Sequence, residues 1–296
     1  MSDSEARKVL KIINRNISLS QGNIFQLRKD FENLYLKFSS NQNLIVKKQE
    51  IEDISAFKIY TEGVNKDNII LFFHGGDFTI GSTNDHLDLC GKISAASNLP
   101  VLSIDYRLAP EHKFPAALED CLISYLWLLK KGIKPSNIIL CGISAGGTLT
   151  LSILLYLKQK NIELPLGAVC MSPAVDMLFQ GHSIVTNGGK DWITRKRLLN
   201  LKKVYLKGKN PVYPLASPLY SDLGGLPPIL LQVGSHELLL DDVIKFHKKA
   251  KESSVEISFE LWKDMFHSFQ IFSSCIEEGQ NAIDSAGTYI KNLLNE

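Results

Sequence analysis

Short apolar segments alternate with longer amphipathic segments from about residue 68 to the end of the chain. Segments that are apolar on both faces are typical of buried parallel strands, and they predict strands at residues 68–73, 101–106, 137–142, 167–171 and 228–233. Residues 255–261 alternate apolar and polar side chains, so we expect that strand nearer an edge. Parallel strands need crossover connections, which are usually helices. The pattern therefore predicts an α/β fold, with a mostly parallel central sheet and helices on both faces.

Two helices are well delimited between these strands. Residues 114–131 have Pro115 at the start and Gly132 just past the end, the usual asymmetry of helix punctuation. Residues 145–159 carry a broad apolar face. Residues 1–50 and about 177–215 do not follow the alternation, and they predict extra helices that either cover one end of the sheet or are peripheral additions.

The composition is that of an ordinary globular protein, with 45% hydrophobic and 22% charged residues among 296. A net charge of +2, without long basic tracts, argues against nucleic acid as a partner. No apolar stretch is long enough for a membrane span, and the first residues lack the pattern of a signal peptide, so the prediction is a cytoplasmic protein. The five cysteines include no close pair, and most lie in apolar runs that predict buried thiols.

The segment Gly142-Ile-Ser-Ala-Gly146 fits the pattern G-x-S-x-G between a predicted strand and a predicted helix. A sharp turn of this kind holds a serine in a strained conformation, with its hydroxyl exposed above the sheet. The helix that follows offers unpaired N–H groups and a partial positive charge to an oxyanion. Ser144 is therefore the candidate nucleophile, and the Ala145 amide is a candidate oxyanion donor.

A second motif, His74-Gly75-Gly76, follows the predicted strand at residues 68–73. Two glycines there let the backbone bend so that N–H groups face a pocket, which predicts that Gly75 and Gly76 complete the oxyanion hole. The alternative is an ordinary turn at the end of a strand. We expect His74 to support this loop rather than to transfer protons.

Together these motifs resemble the hormone-sensitive-lipase-like branch of the α/β-hydrolases, which are carboxylesterases with an HGG oxyanion motif. The segments that carry the resemblance are residues 74–81, 105–120, 142–147, 172–176, 225–242 and 265–269. The resemblance implies ester hydrolysis through a serine, an acid and a histidine, under a cap of helices. The domains it implies are N-terminal cap helices over residues 1–50 and a catalytic domain over residues 51–296, with a second cap segment inserted at about 177–215.

One position departs from the family. Asp77 stands where the family often has a third glycine of the oxyanion motif. Because Gly75 and Gly76 are the predicted donors, we expect Asp77 to alter the rim of the pocket more than the chemistry.

The base is expected last in the chain, because the order in this fold is nucleophile, acid, base. His247 and His267 are the candidates. His247 lies in a lysine-rich helical stretch typical of a surface. His267 lies in a loop between Phe266 and Phe269, where apolar neighbours exclude water and where the family carries its base. His267 is therefore the predicted base.

The acid is expected just past the strand at residues 228–233, where Glu237, Asp241 and Asp242 lie. Glu237 follows the strand end closely, whereas the two aspartates are expected on the next helix. The family's acid, usually Asp, falls about 30 residues before the base, which also favours Glu237. Because triads accept either residue type, Glu237 is the predicted acid and Asp241 the alternative.

These residues predict a serine hydrolase that forms an acyl-enzyme, and the resemblance implies a carboxylesterase. The resemblance and the modest length of the two-part cap imply short to medium acyl esters as substrates. A lactone hydrolase or amide deacylase on the same triad remains open. A non-catalytic ligand-binding protein is disfavoured, because candidates for all three triad members are present. No cofactor and no metal are expected, since no metal-ligand or nucleotide-binding motif is found. The expected partner is a small-molecule ester, and a homodimer is left open.

Overall fold

One eight-stranded sheet organises the computed structural model, which describes residues 5–17, 23–40 and 43–295. The strands, in chain order, are β1 Ile45–Ile51, β2 Ile54–Tyr60, β3 Ile69–Phe73, β4 Val101–Ile104, β5 Ile138–Ile143, β6 Gly167–Met171, β7 Ile229–Gly234 and β8 Ile257–Trp262. Their order across the sheet is β1-β2-β4-β3-β5-β6-β7-β8. The strands from β3 to β8 run parallel, whereas β1 and β2 pair antiparallel at one end.

Helices cover both faces of this sheet. The helices are α1 Glu5–Ile17, α2 Ile24–Leu36, α3 Leu87–Ser97, α4 Ala116–Lys130, α5 Ala145–Gln159, α6 Ser183–Thr186, α7 Arg195–Leu206, α8 Leu240–Glu252 and α9 Glu277–Asn295. One face carries α3 and α9, which contact each other, and the other carries α4, α5 and α8. The predicted α/β class, with a mostly parallel sheet between helices, is confirmed.

The strands that the sequence predicted are the buried ones. All residues of β3, β5, β6 and β7 are buried, which is why each reads as a continuous apolar run. β8 is only half-buried and forms an edge, as its alternating pattern predicted.

The first 50 residues contain helices α1 and α2, as the sequence predicted, but the segment also includes most of a strand that it did not predict. Helix α2 ends at Leu36, and β1 begins at Ile45. Most residues of β1 are exposed because it is the other edge strand, so it lacks the apolar run that marks the inner strands. Three parts of the predicted segment lie outside the described residues, namely residues 1–4, 18–22 and 41–42. Residues 1–4 also make up most of the start of the chain that lacks the pattern of a signal peptide.

Helix α2 lies against the loops that follow β3 and β4. The Arg28 guanidinium donates hydrogen bonds to the carbonyl oxygens of Thr79 and Ala109 and pairs with Glu111 at 2.8 Å. The buried side chain of Tyr35 contacts the His86 ring edge-on, with 5.6 Å between ring centroids. These contacts fix α2 beside the carboxyl ends of the parallel strands.

The described residues include no helix long and apolar enough to cross a membrane. The cysteines agree with the prediction at four positions, Cys90, Cys121, Cys141 and Cys170, which are buried free thiols, whereas Cys275 is exposed.

Candidate active site

Ser144 forms the turn between β5 and α5, in a backbone conformation that side chains rarely adopt (φ 54°, ψ −118°). A Cβ at Gly142 would overlap the carbonyl of Gly146, and a Cβ at Gly146 would overlap the carbonyl of Phe73. Only glycine therefore permits so sharp a turn. This turn places the serine at the carboxyl end of the sheet, beside the loops that follow β3, β7 and β8.

Hydrogen bonds join Ser144 to His267 and His267 to Glu237. The Nε2 atom of His267 lies 2.7 Å from the Ser144 Oγ, and its Nδ1 atom lies 2.9 Å from the Glu237 Oε2. All three side chains are buried. A hydroxyl, an imidazole and a carboxylate in this series can activate the hydroxyl for nucleophilic attack.

The second carboxylate oxygen of Glu237 is also paired. Its Oε1 accepts hydrogen bonds from the Ser172 hydroxyl at 2.7 Å and from the Gly234 amide at 2.6 Å. The Ser172 Oγ in turn accepts a hydrogen bond from the Ser268 amide, next to His267, at 3.2 Å. Ser172 thus links the loop of the carboxylate to the loop of the imidazole.

The alternative acid, Asp241, and the alternative base, His247, lie away from these hydrogen bonds. Asp241 is on α8, and its Oδ2 accepts a hydrogen bond from the Ser183 amide at 2.8 Å. His247, on the same helix, stacks on Phe259 with 4.6 Å between ring centroids. Neither side chain is among the hydrogen-bond partners of Ser144 or His267 in the described part of the chain.

Sequence reasoning missed Asp191, a fully buried carboxylate beside His267. Its Oδ1 accepts hydrogen bonds from the amides of His267 at 3.0 Å and Trp192 at 2.8 Å, and its Oδ2 accepts one from the Leu238 amide at 2.9 Å. Burial raises the pKa of Asp191 to about 6. Asp191 therefore ties the loop that carries His267 to the loop that carries Glu237.

The charges around His267 favour its protonated form. Burial by itself lowers the pKa of His267, but the hydrogen bond and the negative charge of Glu237, together with the charge of Asp191, outweigh that effect. The net result is a pKa raised above the usual histidine value. An imidazole in this environment is a stronger proton acceptor than it would be in the same cavity without the carboxylates.

The loop after β3 offers different amides from those predicted. The Gly75 amide, a predicted oxyanion donor, donates to the Nε2 of His86 at 3.1 Å and is therefore already engaged within the loop. Within the described ranges, the amides of Gly76 and Asp77 have no hydrogen-bond acceptor. Asp77 lines the same space as Ser144 and Ala145, and the Ala145 amide lies in the first turn of α5. The available donors are therefore at Gly76, Asp77 and Ala145.

Two buried histidines support this loop in their neutral form. The His74 Nδ1 donates to the Gly75 carbonyl at 2.7 Å, and the ring stacks on Tyr106 at 4.1 Å between centroids. Burial lowers the pKa of His74 to about 4 and that of His86 to about 3. Neutral His86 accepts from Gly75 through Nε2 and donates to the Ser82 carbonyl through Nδ1 at 3.0 Å. His74 has the supporting position that we expected.

The free space beside Ser144 is only about 10 Å³. Its walls are mainly apolar, and they comprise Asp77, Phe78, Ser144, Ala145, Ala174, Ile193, Leu198, Leu201, Leu239 and His267. Three of these, Ile193, Leu198 and Leu201, belong to the segment predicted to cover the sheet. A larger groove of about 560 Å³, between α4, α5 and residues 209–215, contains no residue of the Ser144 site. Among the described residues, no group of three or more metal-ligating side chains is placed to hold a metal ion.

Comparison with known proteins agrees with this architecture. A family model for the α/β-hydrolase fold matches residues 70–271. An acetyl-hydrolase of Streptomyces hygroscopicus is 37% identical over 228 residues, which cover 77% of this chain and 76% of the relative. An esterase of Acinetobacter venetianus is 33% identical over 269 residues, which cover 90% of this chain and 88% of the relative.

A solved structure extends the similarity to the whole fold. The crystal structure of an esterase from the bacterial hormone-sensitive lipase family superposes with a TM-score of 0.96 at 37% identity, covering 99% of this chain and 100% of that chain. The present chain belongs to the α/β-hydrolase fold family, and its neighbours are hormone-sensitive-lipase-family esterases. The resemblance stated from the sequence is confirmed, and so is the enzyme class, a carboxylic ester hydrolase.

Proposed function

We propose that this protein is a serine carboxylesterase that cleaves short to medium acyl esters through an acyl-enzyme intermediate. The observation that carries the proposal is the hydrogen-bonded series from Ser144 through His267 to Glu237, at 2.7 Å and 2.9 Å. It lies at the end of the sheet beside Asp77, whose amide has no hydrogen-bond acceptor within the described residues.

In the proposed reaction, the Ser144 Oγ attacks the ester carbonyl while the His267 Nε2 takes its proton. The Glu237 carboxylate stabilises the imidazolium that forms and keeps Nδ1 protonated. The amides of Gly76, Asp77 and Ala145 donate to the oxyanion. His267 then protonates the departing alkoxide, and a water molecule activated by the same imidazole releases the acyl group from Ser144.

The size of the substrate follows from the walls of the site. Ile193, Leu198 and Leu201 wall the space beside Ser144 with apolar side chains, and a wall this close to the nucleophile favours a short acyl chain over a long one. One relative is named as an acetyl-hydrolase, which supports the same preference. Lactone or amide hydrolysis would use the same groups, but the relatives are esterases, which favours an acyclic ester.

We also propose that α1, α2 and residues 177–215 form the cap of a catalytic domain that begins near residue 51. The arrangement of α7 over Ser144 supports this division. The expected partner is a small-molecule ester rather than nucleic acid, and the expected location is the cytoplasm.

The test is covalent labelling by an organophosphate, together with release of nitrophenol from p-nitrophenyl butyrate. Ser144→Ala is expected to abolish both, while circular dichroism and the melting temperature remain close to those of the wild type. Ser136→Ala removes an exposed serine that follows α4 and is expected to change neither readout. Labelling that persists in Ser144→Ala would place the nucleophile elsewhere.

The acyl preference is measured on p-nitrophenyl esters from acetate to laurate. We expect kcat/KM to be highest between two and eight carbons. Faster cleavage of long-chain triglycerides than of butyrate or hexanoate esters would contradict the proposed substrate class.

A further inference from the structure

Asp77 departs from the family pattern, and its side chain has a specific partner. Its carboxylate forms an ion pair with the Arg197 guanidinium of α7 through the Arg197 Nε and the Asp77 Oδ2. The pair is largely shielded from water, with side-chain exposures of 13% for Asp77 and 18% for Arg197. The loop of the oxyanion donors is therefore joined to the helix that covers Ser144.

Aromatic rings hold the Arg197 guanidinium in place. Its Cζ lies 4.7 Å from the centre of the Phe31 ring on α2 and 5.1 Å from the centre of the Trp192 ring. The Trp192 Nε1 donates to the carbonyl oxygen of His267 at 2.6 Å. A cation against two rings keeps a defined position, because the guanidinium can stack and pair at the same time.

The position of Asp77 gives this pair a chemical consequence. The Asp77 amide is one of the proposed oxyanion donors, and Asp77 also lines the small space beside Ser144. An unpaired carboxylate there would repel the negative charge that develops on the substrate oxygen. In a site that excludes water, such repulsion acts at close range with little screening.

We propose that Arg197 is a positioning residue for ester hydrolysis, which neutralises the Asp77 carboxylate and holds the Asp77 amide toward the oxyanion. This inference rests on the proposed function, because it assumes that an oxyanion forms at Ser144. Its central expectation is that Arg197 matters for turnover only while residue 77 is negatively charged.

A double-mutant cycle tests the inference. Arg197→Met is expected to lower kcat for p-nitrophenyl butyrate about 10- to 100-fold, somewhat less than the loss of an oxyanion-hole donor costs in other enzymes. KM is expected to change less than about threefold, because the pair acts on the transition state. Asp77→Asn removes the charge and keeps the backbone conformation (φ 55°), which asparagine tolerates well. In the Asp77→Asn background, Arg197→Met is expected to lower kcat less than about threefold.

Two further variants separate charge from packing. Arg197→Lys keeps the positive charge and is expected to retain kcat within about fivefold. Arg197→Gln is polar but neutral, and its kcat is expected to fall as far as that of Arg197→Met. Lys196→Met removes an exposed positive charge from the same helix and is expected to leave kcat unchanged. Rates are divided by the concentration of sites titrated with an organophosphate, so that unfolded protein does not count as a loss of kcat.

The outcomes are distinguishable. Three results would each overturn the role of Arg197. They are an equal fall in kcat from Arg197→Met in both backgrounds, a rise in KM without a fall in kcat, and a fall in kcat of less than threefold in the wild-type background. If the wild-type protein releases no nitrophenol, it is the proposed function that fails.

Discussion

The strand-end loops below Ser144 and the helices above it are held together in different ways. Below Ser144, both oxygens of Glu237 and both oxygens of Asp191 accept hydrogen bonds, most of them from backbone amides. Above it, α7 contacts the site through the side chains of Leu198 and Leu201 and through the Arg197 ion pair. Backbone hydrogen bonds fix atoms to narrow distances, whereas side-chain packing accepts substitutions of similar volume. Backbone hydrogen bonds, including those to Asp191 of the segment 177–215, therefore set the positions of the catalytic groups, whereas the apolar side chains of α7 shape the space for the substrate.

The largest effect is expected when Glu237, in the loops below Ser144, loses its carboxylate. Glu237→Gln should lower kcat/KM by orders of magnitude; about 10⁴ is the precedent for the corresponding change in a serine protease. The amide can no longer stabilise the imidazolium, and the pKa of His267 loses its main raising influence. The measurement is kcat/KM on p-nitrophenyl butyrate.

Asp241→Asn serves as the matched control, because that carboxylate bonds the Ser183 amide and not His267. We expect it to retain kcat/KM within about threefold, with a small loss of stability. A severe loss in Asp241→Asn, with Glu237→Gln close to the wild type, would reassign the acid and leave Ser144 and His267 in place.

A smaller effect is expected from Asp191→Asn. One amide donor would face the new NH₂ group instead of an oxygen, which costs about 1–3 kcal/mol of stability for an unsatisfied buried group. We expect kcat to fall about 10- to 100-fold, because small displacements of His267 against Glu237 reduce proton transfer. Asp264→Asn, at an exposed carboxylate in the loop before His267, is the control and should leave kcat unchanged.

The pH profile of Asp191→Asn has a defined sign. The base must be neutral to act, so kcat/KM rises with pH as His267 loses its proton. The negative charge of Asp191 contributes to the raised pKa of His267, and removing it should shift the acid limb of kcat/KM to lower pH. A shift to higher pH would contradict the contact described between the two groups.

The smallest effect is expected from the apolar side chains of α7. Leu198→Ala removes a buried side chain from the wall beside Ser144 and should raise kcat/KM for octanoate relative to acetate about two- to tenfold. Leu199→Ala, at 39% exposure on the same helix, should leave this ratio unchanged. If the two variants behave alike, α7 does not control the preference for acyl-chain length.

The features that could be predicted from the sequence are those that a local residue pattern determines. Gly142 and Gly146 mark the turn at Ser144, and continuous apolar runs mark the buried strands whose ends the loops of Glu237 and His267 follow. Asp191 could not be found in this way, because it lies 76 residues from its partner His267 in a segment without periodicity. The glycine pair at 75–76 did not reveal which amide faces the site, since this depends on the contact with His86. The β1 strand was missed because an exposed edge strand has no apolar run.

The space of about 10 Å³ beside Ser144 is about the minimum that a single water molecule needs, and an acyl group is larger. An ester can therefore bind only when the apolar side chains around the serine have moved apart. If that open arrangement is one of two states, the apparent dissociation constant is the intrinsic constant divided by the open fraction. If one molecule in a hundred is open, affinity appears about a hundredfold weaker than the contacts alone would give. Substitutions that loosen α7 without touching the substrate would then lower KM by changing a population rather than a contact.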